Sequence, residues 1–211
     1  MEARKDLQAN SSISKLIRPA VVSAVLFLVV GGLAYPLFTT LVAQLVFPGQ
    51  AQGSLIERDG KLVGSGLIGQ QFTEPQYFHP RPSATLKSGS TDSNDAEPYN
   101  AAQSQGSNQG PTNQALIDAV NERAQAYREE NNLPQDTEVP VDAVTSSASG
   151  LDPHITPANA DLQVPRVARG RSISEDEVRR LVQENTEGRL LGIFGEPRVN
   201  VLELNLTLDK L

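Results

Sequence analysis

The chain has no cysteine, no tryptophan, a single methionine and only two histidines in 211 residues. Without cysteine there is no disulfide framework, no thiol nucleophile and no thiolate zinc site. His79 has no ligand set beside it. Asp152 with His154 falls short of both a catalytic triad and a metal centre, so no metal is expected. Charge is missing too, over one long stretch. From Pro19 to Phe47 there is no Asp, Glu, Lys, Arg or His. A bilayer core takes about 20 mostly apolar residues as helix. The stretch exceeds that, and it also exceeds the roughly 7–15 residues of a signal-peptide core. It reads as a retained transmembrane helix, region 19–47, with its core at about 20–42. Gly31 and Gly32 would let another helix approach closely, and Pro36 kinks a membrane helix where a neighbour satisfies the freed carbonyl. Both features are also common in membrane helices at large, so Gly31, Gly32 and Pro36 stand as candidate partner contacts.

Arg4, Lys5, Lys15 and Arg18 precede the span, and no charge follows it until Glu57. Basic flanks stay on the cytoplasmic side. Residues 1–18 are therefore expected in the cytoplasm and residues 48–211 outside, in a periplasmic or extracellular position. Of 18 basic and 25 acidic residues, four and two precede the span, which leaves 14 and 23 beyond it, a net of −9. An acidic domain of this kind argues against a nucleic-acid partner.

Beyond the span, Leu55-Ile56 and Leu62-Val63 flank Asp59-Gly60, a hairpin signal. Gly64 to Gly69 spells GSGLIG, but Pro75 follows and no amphipathic helix begins on it. It reads as a glycine-rich turn and not as a dinucleotide loop. Phe72 to Ala84 is a proline-punctuated loop rich in aromatics. It is either packed down by its own rings or used for binding, with Tyr77, Phe78 and Arg81 as the candidate partner contacts. Residues 86–110 are low in complexity and read as a flexible insertion. A helix then follows, with Leu116, Ile117, Val120, Ala124 and Tyr127 on one face and Thr112 or Asn113 as cap. Thr156 before Pro157 starts a second helix. Ser174 with Glu177 forms a capping box for a third, running to Gly188. Arg198 to Leu208 alternates from Leu202 on and reads as a half-buried strand. The fold class is α+β: one N-terminal transmembrane helix followed by one mixed extracytoplasmic domain.

The central stretch Val144 to Pro157 contains Ser147, Ser149 and Gly150. The serine-hydrolase elbow G-x-S-x-G is incomplete there. Small polar residues before a helix start offer backbone N–H groups to an anion, or simply make a capping turn.

Several blocks carry a resemblance. They are GSGLIGQQF, Tyr77-Phe78 before Arg81-Pro82-Ser83-Ala84, Tyr99-Asn100-Ala101, Gly106-Ser107-Asn108, VTSSASGLDPHITP, QVPRVARGR and PRVNVLELNLTLD. In this order, behind one span, they closely resemble the C subunit of the Kdp-type potassium-transporting ATPase. That resemblance implies a non-catalytic accessory subunit of an ATP-driven potassium importer in the cell (inner) membrane. Its partners would be a channel-like potassium-conducting subunit, a P-type ATP-hydrolysing subunit and membrane lipid. It also implies a catalytic chaperone that raises the pump's affinity for ATP. The chain has no D-K-T-G-T phosphorylation motif and no potassium-filter loop, so it is neither engine nor pore. No firmly bound cofactor is implied, only ATP shared with the pump subunit. The alternative is direct nucleotide contact in a ternary complex, for which Ser147, Ser149, Gly150 and Gln163 are the candidates. Ala148 stands where the family stretch is often S-G-S-G, which weakens its likeness to a transporter signature loop. A domain outside cannot touch ATP inside, so with this topology the effect on ATP would be allosteric.

Overall fold

The computed structural model describes the backbone of residues 2–211 and the side chains from residue 15 onward. The side chains of Arg4 and Lys5, half of the orientation signal, lie outside the described residues. The chain divides into two compact units, residues 1–54 and 55–211.

The first unit is helical. Helix α1 (Glu2–Val29) passes through a π-turn at Val30–Ala34 into α2 (Tyr35–Val46), and a single turn, α3 (Pro48–Ala51), follows. Residues 15–46 form an apolar helix of 32 residues. At 1.5 Å per residue that is roughly 48 Å, more than the ~30 Å hydrocarbon core demands. The π-turn has a local cause. Pro36 has no N–H, and in a regular helix its ring would press on the carbonyl of Gly32, four residues back. Widening the helix just ahead of it, with Tyr35 N–H donating to Val30 O, relieves that clash. Two hydroxyls inside the stretch bond within the helix: Ser23 Oγ donates to Ala20 O at 3.0 Å, and Thr39 Oγ1 donates to Tyr35 O and Pro36 O at 3.0 Å each.

The second unit is mixed. Strands β1 (Leu55–Arg58) and β2 (Lys61–Ser65) form an antiparallel hairpin with Arg58 opposite Lys61. Asp59 and Gly60 take the two left-handed positions the turn requires, φ 52° and 73°, as the Asp-Gly pair predicts. GSGLIG ends β2 at Gly64-Ser65 and then turns at Gly66-Leu67, with no helix starting on it. The main chain from 66 to 113 is irregular apart from isolated bridges between Ser65 and Ile68 and between Leu86 and Ala96.

Helix α4 (Gln114–Asn131) is capped by Asn113, whose side chain accepts from Ala115 N–H, and it stops at Asn132 in the left-handed region. After the turn α5 (Val141–Val144) come β3 (His154–Ile155), α6 (Pro157–Arg171), α7 (Glu175–Glu184), β4 (Thr186–Glu187), β5 (Arg198–Asn200) and α8 (Val201–Leu208). Thr156 and Ser174 cap α6 and α7 as expected, their hydroxyls accepting from Asn159 N–H and Glu177 N–H at 3.2 Å. The second sheet is antiparallel in the order β3-β5-β4.

Two sequence-based expectations are corrected. Helix α7 stops at Glu184 and not at Gly188, because Thr186 and Glu187 leave it to pair with Val199 and Arg198. The closing strand lasts only three residues. At Asn200 the chain turns into α8, the Asn200 side chain accepting from Glu203 N–H. The alternation from Leu202 onward conceals a helical stripe: Val201, Leu204, Asn205 and Leu208 are all buried at i, i+3, i+4 and i+7.

The core lies between α6, α7, α8 and the small sheet. Val164, Val167, Val178, Leu181, Val199, Leu204 and Leu208 meet there around Phe78, which is fully buried. The β4–β5 connection leaves Leu190, Leu191, Ile193 and Phe194 in solvent.

Candidate functional site

The strip from Tyr77 to Thr85 has no regular backbone partner, and five separate parts of the domain grip it. Asn205 of α8 takes both backbone groups of Phe78: its Oδ1 accepts from the N–H at 2.8 Å and its Nδ2 donates to the carbonyl at 3.0 Å. Gln163 of α6 does the same for His79, at 2.7 and 3.2 Å. Buried Arg166 donates to the carbonyls of Pro75 and Tyr77, both at 2.8 Å, to Asn131 Oδ1 at 3.0 Å and to Gln163 Oε1 at 2.7 Å. Burial draws its guanidinium below the ordinary arginine range, against the pull of Glu130. His79 Nδ1 lies 2.6 Å from Glu130 on α4. That hydrogen bond is the main reason the Glu130 carboxyl sits below its ordinary value.

Further along, Arg81 pairs with Asp152 at 2.9 Å. Burial would raise the Asp152 pKa, but hydrogen bonds from His154 and the Arg81 charge together hold it low. Ser83 Oγ donates to Gly150 O at 2.8 Å, and Thr85 Oγ1 donates to Glu97 O at 2.6 Å. Tyr99 OH donates to Arg81 O at 2.9 Å, and burial, with the Asp152 charge beside it, raises the phenol well above its ordinary value.

The serine loop closes on itself. Ser147 Oγ accepts from Gly150 N–H at 2.9 Å, and Ser149 Oγ accepts from Leu151 N–H at 3.1 Å. The Ser149 carbonyl takes the Gln105 N–H at 2.8 Å and the Ser104 hydroxyl at 3.1 Å. Gly150 has φ +67°, and a Cβ there would meet Gln105 O at 2.6 Å. Glycine is needed for both the conformation and the close approach. Opposite, Gly106 leaves just enough room for the Ala148 carbonyl, 2.8 Å from where a Cβ would sit. Ala148 itself is exposed.

The four nucleotide candidates therefore fall into two places. Ser147, Ser149 and Gly150 form the loop under Ser83. Gln163 is 1 % exposed and has its amide fully engaged, with His79, Arg166 and Asn159 as partners. Among the described residues no hydrogen bond joins Gln163 to the loop. The strip 77–85 lies between them, so one network includes both. A cleft of about 430 Å³ opens beside it, lined by His79, Arg81, Arg123, Tyr127, Glu130 and Gln163 among others.

Of the partner candidates, Phe78 is a core residue with no exposed surface. Tyr77 lies under Arg171, 4.9 Å from guanidinium to ring centre, and reaches Asp209 at 3.4 Å. Gly31 and Gly32 are exposed, with nothing within 4 Å of an added Cβ. Pro36 is exposed beside them.

Sequence reasoning missed Asp142, whose carboxylate accepts from Thr156 N–H at 2.7 Å and Asn159 Nδ2 at 3.1 Å, and with it Asn159, Arg166, Asn205 and Asp209. A signal was present for two of them: Asn159 and Arg166 flank the candidate Gln163, the three recurring at i, i+4 and i+7 on a helix whose remaining inward residues are Ala and Val. Buried polar groups at that spacing must bond to something. Asp209 collects Arg171 at 2.7 Å and Arg58 at 3.3 Å, tying the first hairpin to the end of α8. No group of three or more metal-ligating side chains occurs among the described residues.

A family model described as "KdpC: K+-transporting ATPase, c chain" matches residues 17–210. Similar proteins include the potassium-transporting ATPase KdpC subunits of Bradyrhizobium diazoefficiens, 55% identical over 92% of this chain and 96% of that protein, and of Rhodopseudomonas palustris, 55% identical over 92% and 98%. That of Mycobacterium tuberculosis is 55% identical over 92% of this chain and 97% of its own length.

Proposed function

Since the chain belongs to the K+-transporting ATPase c-chain family, we propose that it is a non-catalytic accessory subunit of a high-affinity, ATP-driven potassium importer. Its apolar helix sits in the cell membrane with the N-terminus in the cytoplasm. The acidic domain stands outside, docked over the entry of the channel-like ion-conducting subunit. It assembles and stabilises the complex, and it raises the ATP affinity of the P-type subunit from a distance, as a catalytic chaperone.

The observation that carries an indirect effect is the saturation of the candidate nucleotide groups. The N–H groups of Gly150 and Leu151 are taken by Ser147 and Ser149, and the Gln163 amide is fully occupied in the fold. A nucleotide would have to break bonds that hold the strip 77–85. The test is to purify the complex with and without this chain and to measure ATP hydrolysis across ATP concentrations. Loss of assembly, or a higher KM for ATP, is expected. An intact complex with unchanged KM overturns the reading.

A second reading, direct nucleotide contact in a ternary complex with the pump subunit, draws support from the cleft beside Gln163, where Arg81 and Arg123 supply positive charge. Photolabelling with an ATP analogue that marks peptides between Ser147 and Gln163 would favour it.

A further inference from the structure

Four large apolar side chains stand together in solvent at the tip of the β4–β5 connection. Leu190, Leu191, Ile193 and Phe194 are 70, 81, 72 and 62 % exposed. Their backbone is tightly built. Leu190 N–H donates to Phe194 O at 2.8 Å, and Phe194 N–H donates back to Leu190 O at 3.0 Å. Leu191 and Gly192 supply the left-handed turn, φ 54° and 74°. At the base, Arg189 pairs with Glu196 at 2.7 Å and Arg198 with Glu187 at 2.8 Å. The charges cancel across the ribbon, leaving a preorganised apolar knuckle with a polar collar. This is the anatomy of an interface anchor: desolvated side chains at the centre, paired charges at the rim.

We propose that this knuckle is the docking anchor of the domain, and that it inserts into an apolar recess with a neutral or basic surround on the extracytoplasmic face of another subunit of the transport complex. The proposal rests on the accessory-subunit reading above. Charge selects the occupant. The chain beyond the span carries a net of −9, so an anionic lipid surface repels it. The knuckle also has neither the tryptophan or tyrosine nor the unpaired lysine or arginine of an interfacial lipid anchor. A second copy of the same acidic domain is repelled as well. Another subunit of neutral or basic surface is free of both penalties.

The experiment uses the whole complex in native membranes, with a benzophenone amino acid at Leu191. The expected product on irradiation is an adduct of this chain with one other subunit. An adduct only with lipid, an adduct only with a second copy, or no adduct overturns the proposal. In parallel, the complex is captured through a tag on another subunit. Combined Leu191→Asp and Phe194→Asp should lower recovery of this chain about ten-fold or more, the loss expected for one hot-spot contact. Aspartate tolerates the positive φ at 191, and both sites are exposed, so the fold is retained. Val141→Asp, at an equally exposed apolar position (73 %), should leave recovery unchanged. Equal recovery of the double variant and wild type sinks the knuckle alone. Failure to recover the wild-type chain sinks the accessory-subunit reading, and the knuckle with it.

Discussion

Asn205 is completely enclosed and serves the backbone of one other residue, Phe78, with both ends of its amide. Removing it leaves a buried N–H and a buried carbonyl without partners, at about 1–3 kcal/mol for each orphaned group. Asn205→Ala should therefore lower stability by roughly 2–4 kcal/mol, read as a shift in the urea midpoint of the purified chain. Glu130 gives a pH signature. Its folded pKa lies below the ordinary 4.5, chiefly through the hydrogen bond from His79. The stability it contributes is thus fully present above the ordinary value and is lost as pH falls through the lowered one. Unfolding midpoints should drop on acidification below about pH 5, and the drop should be shallower in His79→Ala. A parallel acid limb in the variant would show that the pair does not act this way. Neither residue stood out in the sequence. A lone Asn among leucines and a Glu in an acidic helix end look like solvent-facing residues, and only the tertiary path of the 77–85 strip gives them work.

At the scale of elements, legibility followed how local the cause was. Caps at Asn113, Thr156 and Ser174, and the Asp-Gly hairpin, depend on neighbours within four residues, and all stand where their chemistry put them. The end of α7 and the identity of α8 depend on which strand lies alongside and which face meets the core, and local pattern misled on both. The apolar helix was legible from composition, but its π-turn was not, because the turn arises from the pairing of Pro36 with the carbonyls before it. Gly31 and Gly32 lie within that turn, with open space where a side chain could stand. If these glycines pack against a neighbouring helix, Gly31→Leu with Gly32→Leu will reduce co-purification with the other subunits while leaving the thermal unfolding of the 55–211 unit unchanged. Equal recovery would remove the glycines from the interface.

At the scale of the whole molecule, the family was legible because its motifs sit at structural necessities. GSGLIG, whose Gly69 N–H donates to Leu151 O at 2.9 Å, the Tyr77–Ala84 strip, Tyr99, the serine loop and α6 are all parts of one hydrogen-bonded network. The nucleotide candidates were legible only as motif; their bonding partners depend on distant segments that no spacing reveals. Orientation decides between the two routes to ATP, and the absence of cysteine makes it measurable. A single cysteine at exposed Ala148, treated in intact cells with a membrane-impermeant maleimide, should be labelled without lysis. Protection until lysis would place the domain inside and make direct nucleotide contact the better reading.

The grip on the strip also sets a timetable. Phe78 waits for Asn205, and Tyr77 and Arg58 wait for Asp209. Each holder is synthesised more than a hundred residues after the segment it holds. The emerging chain therefore delivers its apolar helix first and carries an unclasped segment until α8 appears. The last helix is thus the latch that completes the bonding of the segment.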